Sequence, residues 1–465
     1  MSTTSNSAYL AHNPIRDLIA EYLAGAGTRP LGSQVAGKAR LHLLDTVAAM
    51  VSGSALEPGR LALSYGEKYG GKPEVTIAGA AFKTDIFTAA LVNAMCAHAD
   101  ETDDFHVASI THPGSAAVPS ALALGEARKL PGARLLAAVV AGYDICCRST
   151  MSINAEKRFA EGGATHSVGS LFGASAASAV MLGLNRAQIV HLLSYTAQQA
   201  SGMVCWRRDP DHIEKAFDFS GAGARNGVQT ATMIEHGMTG VPDTLEGRHG
   251  YFAVHGRGFD PWPAWADLGQ RPVILDAAIK KWCVGSPIQA PLDAVEAICK
   301  AHTVDHTQVE RIEIRLPSNS AVVVDNGPMP DVNCQHLVAV VLMDGALSFA
   351  AAHDAGRMDE PVTRALRDRA TLVHDDALIG AMPPRQGIVE LTMRDGRRLR
   401  HHAKAVRGTP FNPMTWDEVT AKAHDLMAPV LGEAGSRRVV DTVARVEALD
   451  DAGDLSRALA SGAKA

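Results

Sequence analysis

Apolar residues recur at helical spacing through the first 265 positions of the chain. Ile15, Leu18, Ile19, Tyr22 and Leu23 are mostly three and four residues apart, which is the spacing of one buried helix face. The same kind of pattern predicts further helices over residues 35–50, 82–96, 115–128, 133–150, 170–182, 184–200 and 221–236. Several of these segments are rich in Ala, Gly and Ser, which indicates burial between other helices.

The pattern changes near residue 265. Residues 308–316 alternate polar and apolar positions as a half-buried strand does. Residues 386–402 repeat the alternation on both sides of Asp395-Gly396, a strong hairpin signal. Helical segments lie between the strands, over 291–302 and 332–344, and helical spacing returns over 416–449.

These patterns predict a mainly α protein with two domains. We expect a large all-helical domain from residues 1–268 and a smaller α+β domain over 269–405. The C-terminal helices, over 406–465, are expected to return to the helical domain. The length of 465 residues agrees with this division, because one ordinary core does not grow to that size.

Composition and charge argue against several classes of function. The net charge is −6, and the basic residues at 394–400 are a local cluster, so we do not expect nucleic-acid binding. The sequence contains neither GxGxxG nor GxxxxGK[ST], which argues against nucleotide-binding folds.

Residues 1–9 are polar and small, unlike a signal peptide. No apolar stretch reaches the about 20 residues that span a bilayer, so no membrane partner is expected. Seven cysteines without a CxxC pair are typical of small buried residues in a reducing compartment. Their spacing does not support a zinc or iron–sulfur site. The sequence therefore predicts a cytoplasmic protein without a metal.

Residues 98–120, HADETDDFHVASITHPGSAAVPS, hold the densest chemistry of the chain. Asp103 and Asp104 are adjacent, His112 follows them, and apolar small-residue runs lie on both sides. Carboxylates and imidazoles between buried helices cost free energy unless they are paired or have a function. The simpler alternative is a polar loop in which Asp103 or Asp104 caps a helix.

Further candidates come from distant segments. His166 follows glycines at the start of a small-residue helix, and Lys215 lies in a charged connection. Lys280 precedes a Gly-Ser-Pro turn, and Arg248 lies in a glycine-containing loop. Each also has a structural interpretation. His166 could be a histidine bonded to backbone, and the lysines and the arginine could be solvated cations. Together they suit an anionic substrate, because cations bind carboxylates, a base removes the α-proton and donors stabilise enolate-like charge.

Several blocks resemble the MmgE/PrpD family, which includes 2-methylcitrate dehydratases, cis-aconitate decarboxylases and an iminodisuccinate epimerase. The blocks are HADETDDFHVASITHPGSAAVPSALALGE, GATHSVGSLFGASAASAVMLGL, EKAFDFSGAGARNGVQTATMIEHGMTG, LEGRHGYF and KKWCVGSPIQAPLDA. They follow the family's order, and the match to the family covers nearly the whole chain. The resemblance implies a helical domain with a smaller α+β lid, an active site between them, a homodimer, and neither a metal nor an organic cofactor.

The resemblance also implies residue roles. The family acid corresponds to Glu101, the family histidines to His112 and His166, and the lysines to Lys215 and Lys280. Three positions depart from the family: Phe105 replaces a threonine, Gln289 lies where histidine is frequent, and His336 replaces a tyrosine. A site that lacks donors rejects substrates that need them, so the resemblance supports the reaction type more than a named substrate.

The leading hypothesis is a cofactor-independent lyase or dehydratase acting on a small hydroxy di- or tricarboxylate, similar to 2-methylcitrate dehydratase. The alternatives are an epimerase, isomerase or decarboxylase of the same fold, and a non-enzymatic carboxylate-binding helical dimer. The predicted catalytic residues are His112, His166, Asp103, Asp104 and His336. The predicted substrate-binding residues are Glu101, Lys215, Lys280, Arg248 and Gln289.

Overall fold

The structure, a computed structural model, describes residues 13–462 and divides into two units. The helical unit comprises the described residues up to Ala99, Asp103–Ala277 and those from Val419 onward. The mixed unit comprises Asp100–Thr102 and Ala278–Glu418. The observed architecture confirms the predicted fold class, mainly α with a smaller α+β part.

Up to residue 277, the helical unit is built almost entirely from helices. In chain order they are α1 (Pro14–Ala26), α2 (Ser33–Gly53), α3 (Glu57–Tyr69), α4 (Ile86–Ala97), α5 (Gly114–Arg128), α6 (Gly132–Met151), α7 (Ala155–Ala160), α8 (Thr165–Leu182), α9 (Arg186–Gln198), α10 (Ile213–Ala216) and α11 (Ala222–Glu235). Two short strands, β1 (Val75–Thr76) and β2 (Lys83–Thr84), pair antiparallel.

Local sequence signals explain several helix ends. Asp85 caps α4 by accepting hydrogen bonds from the backbone N–H groups of Phe87 and Thr88, both at 3.0 Å. Asn185 and Gln188 form a capping box at the start of α9. Such caps satisfy backbone donors that have no partner inside the helix.

Small residues allow the central helices to approach closely. Helix α8 packs against α5, α6 and α11 and is almost fully buried. A Cβ added at Gly173 would lie 2.8 Å from the Cβ of Cys146, and one at Gly227 would lie 2.6 Å from the Cβ of Ala174. Larger residues would separate these helices, so the composition follows from the packing.

The mixed unit surrounds a four-stranded sheet in the order β4-β3-β5-β6. Its elements are α12 (Gln289–Ala301), β3 (Val309–Leu316), α13 (Ser318–Val324), α14 (Cys334–Asp344), α15 (Phe349–Ala352), α16 (Pro361–Arg367), β4 (Ala370–His374), β5 (Gly387–Met393) and β6 (Arg398–Ala403). Strand β5 pairs antiparallel with β3 and β6, whereas β4 is parallel to β3. Helices α12 and α14 contact each other, and α12 lies on β5 and β6, over one hydrophobic core.

Two C-terminal helices complete the described chain, α17 (Trp416–Ala444) and α18 (Gly453–Ala458). Helix α17 is interrupted at Gly432, whose φ of 70° and ψ of 165° are not helical. The first residues of α17 belong to the mixed unit and the rest to the helical unit.

Three local features differ from the sequence prediction. Strand β4 was not predicted, because only one of its five residues is buried and it shows no clear alternation. Helix α8 begins at Thr165 rather than at residue 170, and His166 lies in its first turn, at the helix start where the sequence analysis placed it. Residues Phe217–Gly221 form a π-helical turn between α10 and α11, where the sequence predicted only the start of a helix.

None of the described helices combines the length and apolarity needed to cross a membrane. All seven cysteines are free, and most of them are buried, as expected for small core residues.

Candidate active site

Asp103 is the centre of a buried histidine cluster in the helical unit. Its Oδ1 accepts hydrogen bonds from Nδ1 of His98 and from Nδ1 of His112, each at 3.0 Å, and its Oδ2 is also 3.0 Å from the His98 Nδ1. His98 is the C-cap of α4, and His112 lies just before α5. One carboxylate therefore orients two imidazoles carried by the ends of two helices.

The loop before His112 is held in place by its own hydrogen bonds. His106 and Thr111 form an antiparallel backbone bridge. The Ser109 hydroxyl lies 2.8 Å from the His106 Nδ1 and 2.6 Å from the Thr111 hydroxyl. The hydroxyl of Thr165 donates to the carbonyl of Ile110 at 2.7 Å. These bonds connect the loop to the first turn of α8 and so fix the position of His112.

The charges of the cluster follow from the balance between burial and the neighbouring ionisable groups. Burial by itself raises the pKa of Asp103, but His112 and His98 outweigh that effect and hold the pKa well below its usual range. Burial lowers the pKa of His98, more than Asp103 raises it. At neutral pH Asp103 is therefore ionised and His98 neutral. A neutral imidazole that donates from Nδ1 carries its lone pair on Nε2. The Nδ1 of His112 is bonded to the same carboxylate.

Phe219 joins these residues to His166. Its ring stacks on His166 at 3.8 Å between centroids and on His98 at 4.4 Å, both nearly parallel. The His112 ring lies 5.5 Å from both the His166 ring and the Phe219 ring. Phe219 belongs to the π-turn 217–221, and such turns are frequent at functional sites because they redirect a side chain out of helical register. We call His98, Asp103, His112, His166 and Phe219 the histidine cluster.

Lys215 lies next to the histidine cluster. Its Nζ is 5.1 Å from the ring centroid of Phe219 and 5.5 Å from that of Trp206. Trp206 also packs edgewise on His166 and on Phe219. The positive charge of Lys215 contributes to the lowered pKa of His98. The structure therefore brings together four predicted residues, Asp103, His112, His166 and Lys215.

Asp104 points into a different hydrogen-bond network. Its Oδ2 is 2.6 Å from the His42 Nδ1 and accepts a hydrogen bond from the Tyr143 hydroxyl at 2.5 Å. Its Oδ1 accepts from the backbone N–H of Gly114 at 3.1 Å. All of these groups are buried. Of the two adjacent acids, Asp103 is therefore the one that orients His112, whereas Asp104 ties α2, α6 and the start of α5 together.

Residues 100–102 are held within the mixed unit. The ammonium of Lys280 donates to the backbone carbonyl oxygen of Glu101 at 2.8 Å and lies 3.5 Å from the side-chain carboxylate of Glu101. Asp100 accepts hydrogen bonds from the backbone N–H and hydroxyl of Thr102 and pairs with His353 at 2.8 Å. Lys280 and Glu101 are thus mutual partners, and their predicted contact with a substrate stays a prediction.

Three other predicted site residues have individual surroundings. The amide of Gln289 is bonded to the backbone of Trp282 and Val284, which favours a structural role over the predicted substrate contact. Arg248 is exposed in a turn and has no hydrogen bond or ion pair within residues 13–462. His336 is buried in α14, and burial, with the nearby charges of Arg367 and Arg357, lowers its pKa to about 4. Its imidazole is therefore neutral at neutral pH, and the catalytic role of His336 stays a prediction.

Sequence reasoning did not include His98, Phe219 and Trp206 in the site. His98 lies within the stretch 98–120 but was not chosen as a candidate, and no pattern indicates that Phe219 lies in a π-turn. The signal for His98 was present, because it lies five residues before Asp103 in a stretch already singled out.

The same cluster contains the atoms that could hold a metal. Within the described part of the chain, His98, Asp103 and His112 form the group whose ligand atoms lie within 4.8 Å of one another. Two imidazoles and a carboxylate suit several divalent metals. In this geometry, however, both Nδ1 atoms are directed at the carboxylate itself.

Comparison with known proteins agrees with the resemblance seen in the sequence. The chain matches the MmgE/PrpD N-terminal domain over residues 17–263 and the MmgE/PrpD C-terminal domain over residues 282–448. It is also similar to a protein of Aspergillus oryzae described as "Cis-aconitate decarboxylase-like protein oryM". The identity is 24% and the match covers 92% of this chain and 94% of the fungal protein.

Proposed function

The chain belongs to the MmgE/PrpD family, and we propose that it is a lyase that dehydrates a small hydroxy di- or tricarboxylate. The observation that carries this proposal is Asp103, one buried carboxylate that bonds the Nδ1 atoms of two histidines beside a lysine. A base oriented in this way is suited to removing a proton next to a carboxylate.

In the proposed reaction, His112 is the general base. Because Asp103 accepts its Nδ1–H, the Nε2 lone pair is available to take the α-proton of the substrate. The electron pair of the broken C–H bond develops as enolate-like charge on the neighbouring carboxylate. Asp103 stabilises the imidazolium that forms, as an ionised partner does for a catalytic histidine.

His166 and Lys215 have complementary roles in the proposal. Lys215 binds a substrate carboxylate and stabilises the developing charge. His166, which stacks on Phe219 next to His112, donates a proton to the leaving hydroxyl as the C–O bond breaks. The products are an unsaturated acid and water, and proton exchange between the histidines and solvent restores the starting state.

The proposed reaction needs no metal. In this proposal the Nδ1 atoms of His98 and His112 donate to Asp103, and this donation sets the tautomer of the base. Lys280 remains a predicted substrate-binding residue.

Decarboxylation is the second candidate, favoured by the name of the Aspergillus oryzae relative. The same cationic site would stabilise the charge left when a C–C bond breaks, and a histidine would then protonate the carbon. The two reactions differ in product, because only decarboxylation releases carbon dioxide.

The test is incubation of the protein with a panel of hydroxy di- and tricarboxylates in deuterated water, followed by NMR and by measurement of carbon dioxide. We expect deuterium at the α-carbon and an unsaturated acid from at least one member. Deuterium in recovered substrate without an alkene would indicate an epimerase. Neither exchange nor turnover with any member would contradict the proposal.

A further inference from the structure

Arg207 is an exposed cation next to the histidine cluster. Its guanidinium carbon lies 4.6 Å from the centroid of the Phe159 ring. That ring packs edgewise on His166, with 5.7 Å between centroids. Within residues 13–462, no hydrogen bond or ion pair involves the Arg207 side chain.

The segment that carries Arg207 is fixed to the loop that leads into α8. The backbone N–H of Val204 donates to the carbonyl of Gly162 at 3.0 Å, and that of Ala164 donates to Gly202 at 3.1 Å. Gly202 has a φ of +106°, and a Cβ there would lie 2.0 Å from the Ser167 hydroxyl. Arg207 is therefore attached, through a short and tightly packed backbone, to the turn that positions His166.

Two acids of the same segment, Asp209 and Glu214, accept hydrogen bonds from other groups. Asp209 accepts hydrogen bonds from the backbone N–H groups of Asp211 and Lys215, at 3.2 and 3.0 Å. Glu214 accepts from the thiol of Cys205 at 3.5 Å. These contacts leave the guanidinium of Arg207 to the aromatic face of Phe159, where a cation is attracted but its N–H groups keep their donor capacity.

Arg207 and Lys215 approach neighbouring rings of one aromatic group. Lys215 lies over Trp206 and Phe219, and Arg207 lies over Phe159. Trp206 and Phe159 both contact His166 edgewise. Two cations beside one histidine suit an anion with two negative groups, and the planar guanidinium matches a carboxylate in a bidentate arrangement.

We propose that Arg207 binds the second carboxylate of the substrate, opposite the carboxylate bound by Lys215, and so selects dicarboxylates over monocarboxylates. This inference rests on the proposed function, because it assigns a residue to the specificity of the same site. Stacking on Phe159 pre-orients the guanidinium, which reduces the entropy lost on binding.

Arg208 provides a matched control. It is the next residue and is equally exposed. Among the described residues it has neither an aromatic ring contact nor an ion pair. The variants to compare are Arg207→Gln, Arg207→Lys and Arg208→Gln, and the ligands are malate and citrate against the monocarboxylate lactate.

Arg207→Gln should raise KM by about 10- to 100-fold for the hydroxy dicarboxylate that the wild type converts. This is the loss of affinity expected when hydrogen bonds between charged groups are removed. Its kcat should stay within about threefold, since Arg207 does not touch the reacting carbon. The KM of Arg207→Lys should lie between those of the wild type and Arg207→Gln, and the KM of Arg208→Gln should match that of the wild type. Binding of lactate should not change.

Calorimetric Kd values for malate and citrate provide a readout that does not depend on turnover. If the wild type binds them but converts no acid, the lyase proposal fails and the Kd of Arg207→Gln still decides the role of Arg207. Equal increases in the Kd for malate or citrate in Arg207→Gln and Arg208→Gln would overturn the inference. So would equal effects of Arg207→Gln on malate and lactate, or a wild type that binds neither malate nor citrate.

Discussion

Replacing Asp103 by asparagine tests the centre of the proposed site with the smallest change of shape. In the wild type, both His98 and His112 donate from Nδ1 to this carboxylate. An asparagine offers one acceptor oxygen and one NH₂ group that cannot accept, so when the NH₂ group takes the place of Oδ1, the oxygen bonded by both Nδ1 atoms, His112 loses its acceptor. When the NH₂ group faces His112, the Nδ1 must accept, the proton moves to Nε2, and the base no longer has a free lone pair.

The expected loss of rate follows from this change of tautomer. General-base catalysis contributes about 10²–10⁴-fold, and the carboxylate-to-amide change behind a catalytic histidine of another enzyme class costs about 10⁴-fold. We therefore expect Asp103→Asn to slow α-proton exchange by about 10²–10⁴-fold. The assay is deuterium incorporation from deuterated water, followed by NMR.

The same variant should lose stability in a pH-dependent manner. Each hydrogen bond to a charged group contributes about 1.5–3 kcal/mol, so we expect a loss of about 2–4 kcal/mol at pH 7. The pKa of Asp103 is depressed in the folded protein. Its contribution is therefore complete above the unfolded pKa of about 3.9 and is lost as the pH falls through the lower folded value. The difference from the wild type should shrink below about pH 4.

Asp104→Asn is the matched control. Asp104 is adjacent and equally buried, but it bonds His42 and Tyr143 rather than His112. It should lower stability while leaving the exchange rate per folded molecule within about threefold of the wild type. A folded Asp103→Asn protein with the wild-type exchange rate would refute the assignment of His112 as an oriented base.

Three further predictions concern ion pairs and metals. Lys422→Met should lower the free energy of unfolding in urea by about 3–5 kcal/mol, because it leaves buried Asp45 without its partner at 2.7 Å. The double variant Asp45→Leu with Lys422→Met should have nearly the wild-type free energy of unfolding. Equal losses in the single and double variants would contradict this. Burial lowers the pKa of His353, but the hydrogen bond and charge of Asp100 outweigh it and raise the pKa to about 9. The stabilisation from this pair is complete below the unfolded pKa of about 6.5 and is lost as the pH rises through 9. The denaturation midpoint of the wild type should therefore fall between pH 6 and 10, and that of His353→Gln should lack this pH-dependent fall. Dialysis against a chelator should leave turnover unchanged, and activity that is lost on chelation and restored by a divalent metal would instead favour a metal bound by the histidine cluster.

The elements predicted from the sequence are those with strong repeating patterns. Helix α2 and the β5–β6 hairpin lie where helical spacing and the Asp395-Gly396 turn placed them. The sequence itself raised His112, His166 and Lys215 as candidates and the family resemblance supported them, and the structure places these three around Phe219. A pattern shows which face of an element is buried, but it does not show which elements meet.

Residues that depend on tertiary geometry could not be predicted in this way. Asp103 and Asp104 are adjacent in the chain, and no pattern distinguishes them, yet one bonds His112 and the other bonds His42. The choice is made by the loop conformation, which turns successive side chains toward different helices. Gln289 is a similar case, because only the structure shows that its amide is bonded to the backbone of the turn before α12.

The π-turn 217–221 explains why a hydrocarbon ring lies among the polar groups of the proposed site. Without it, α10 and α11 would continue as one regular helix, and the orientation of Phe219 relative to Lys215 would be set by the ordinary helical repeat. The extra residue of the turn changes that relation, so that Phe219 stacks on two histidines and also lies 5.1 Å from the Lys215 ammonium. The Lys215 ammonium thus lies near an aromatic ring that also contacts the imidazoles, and the face of such a ring attracts a cation. A lysine in direct contact with His112 would lower the basicity that the proposed reaction needs. The local irregularity therefore lets one short segment place an aromatic ring against the histidines and, beside it, the cation proposed to bind the substrate.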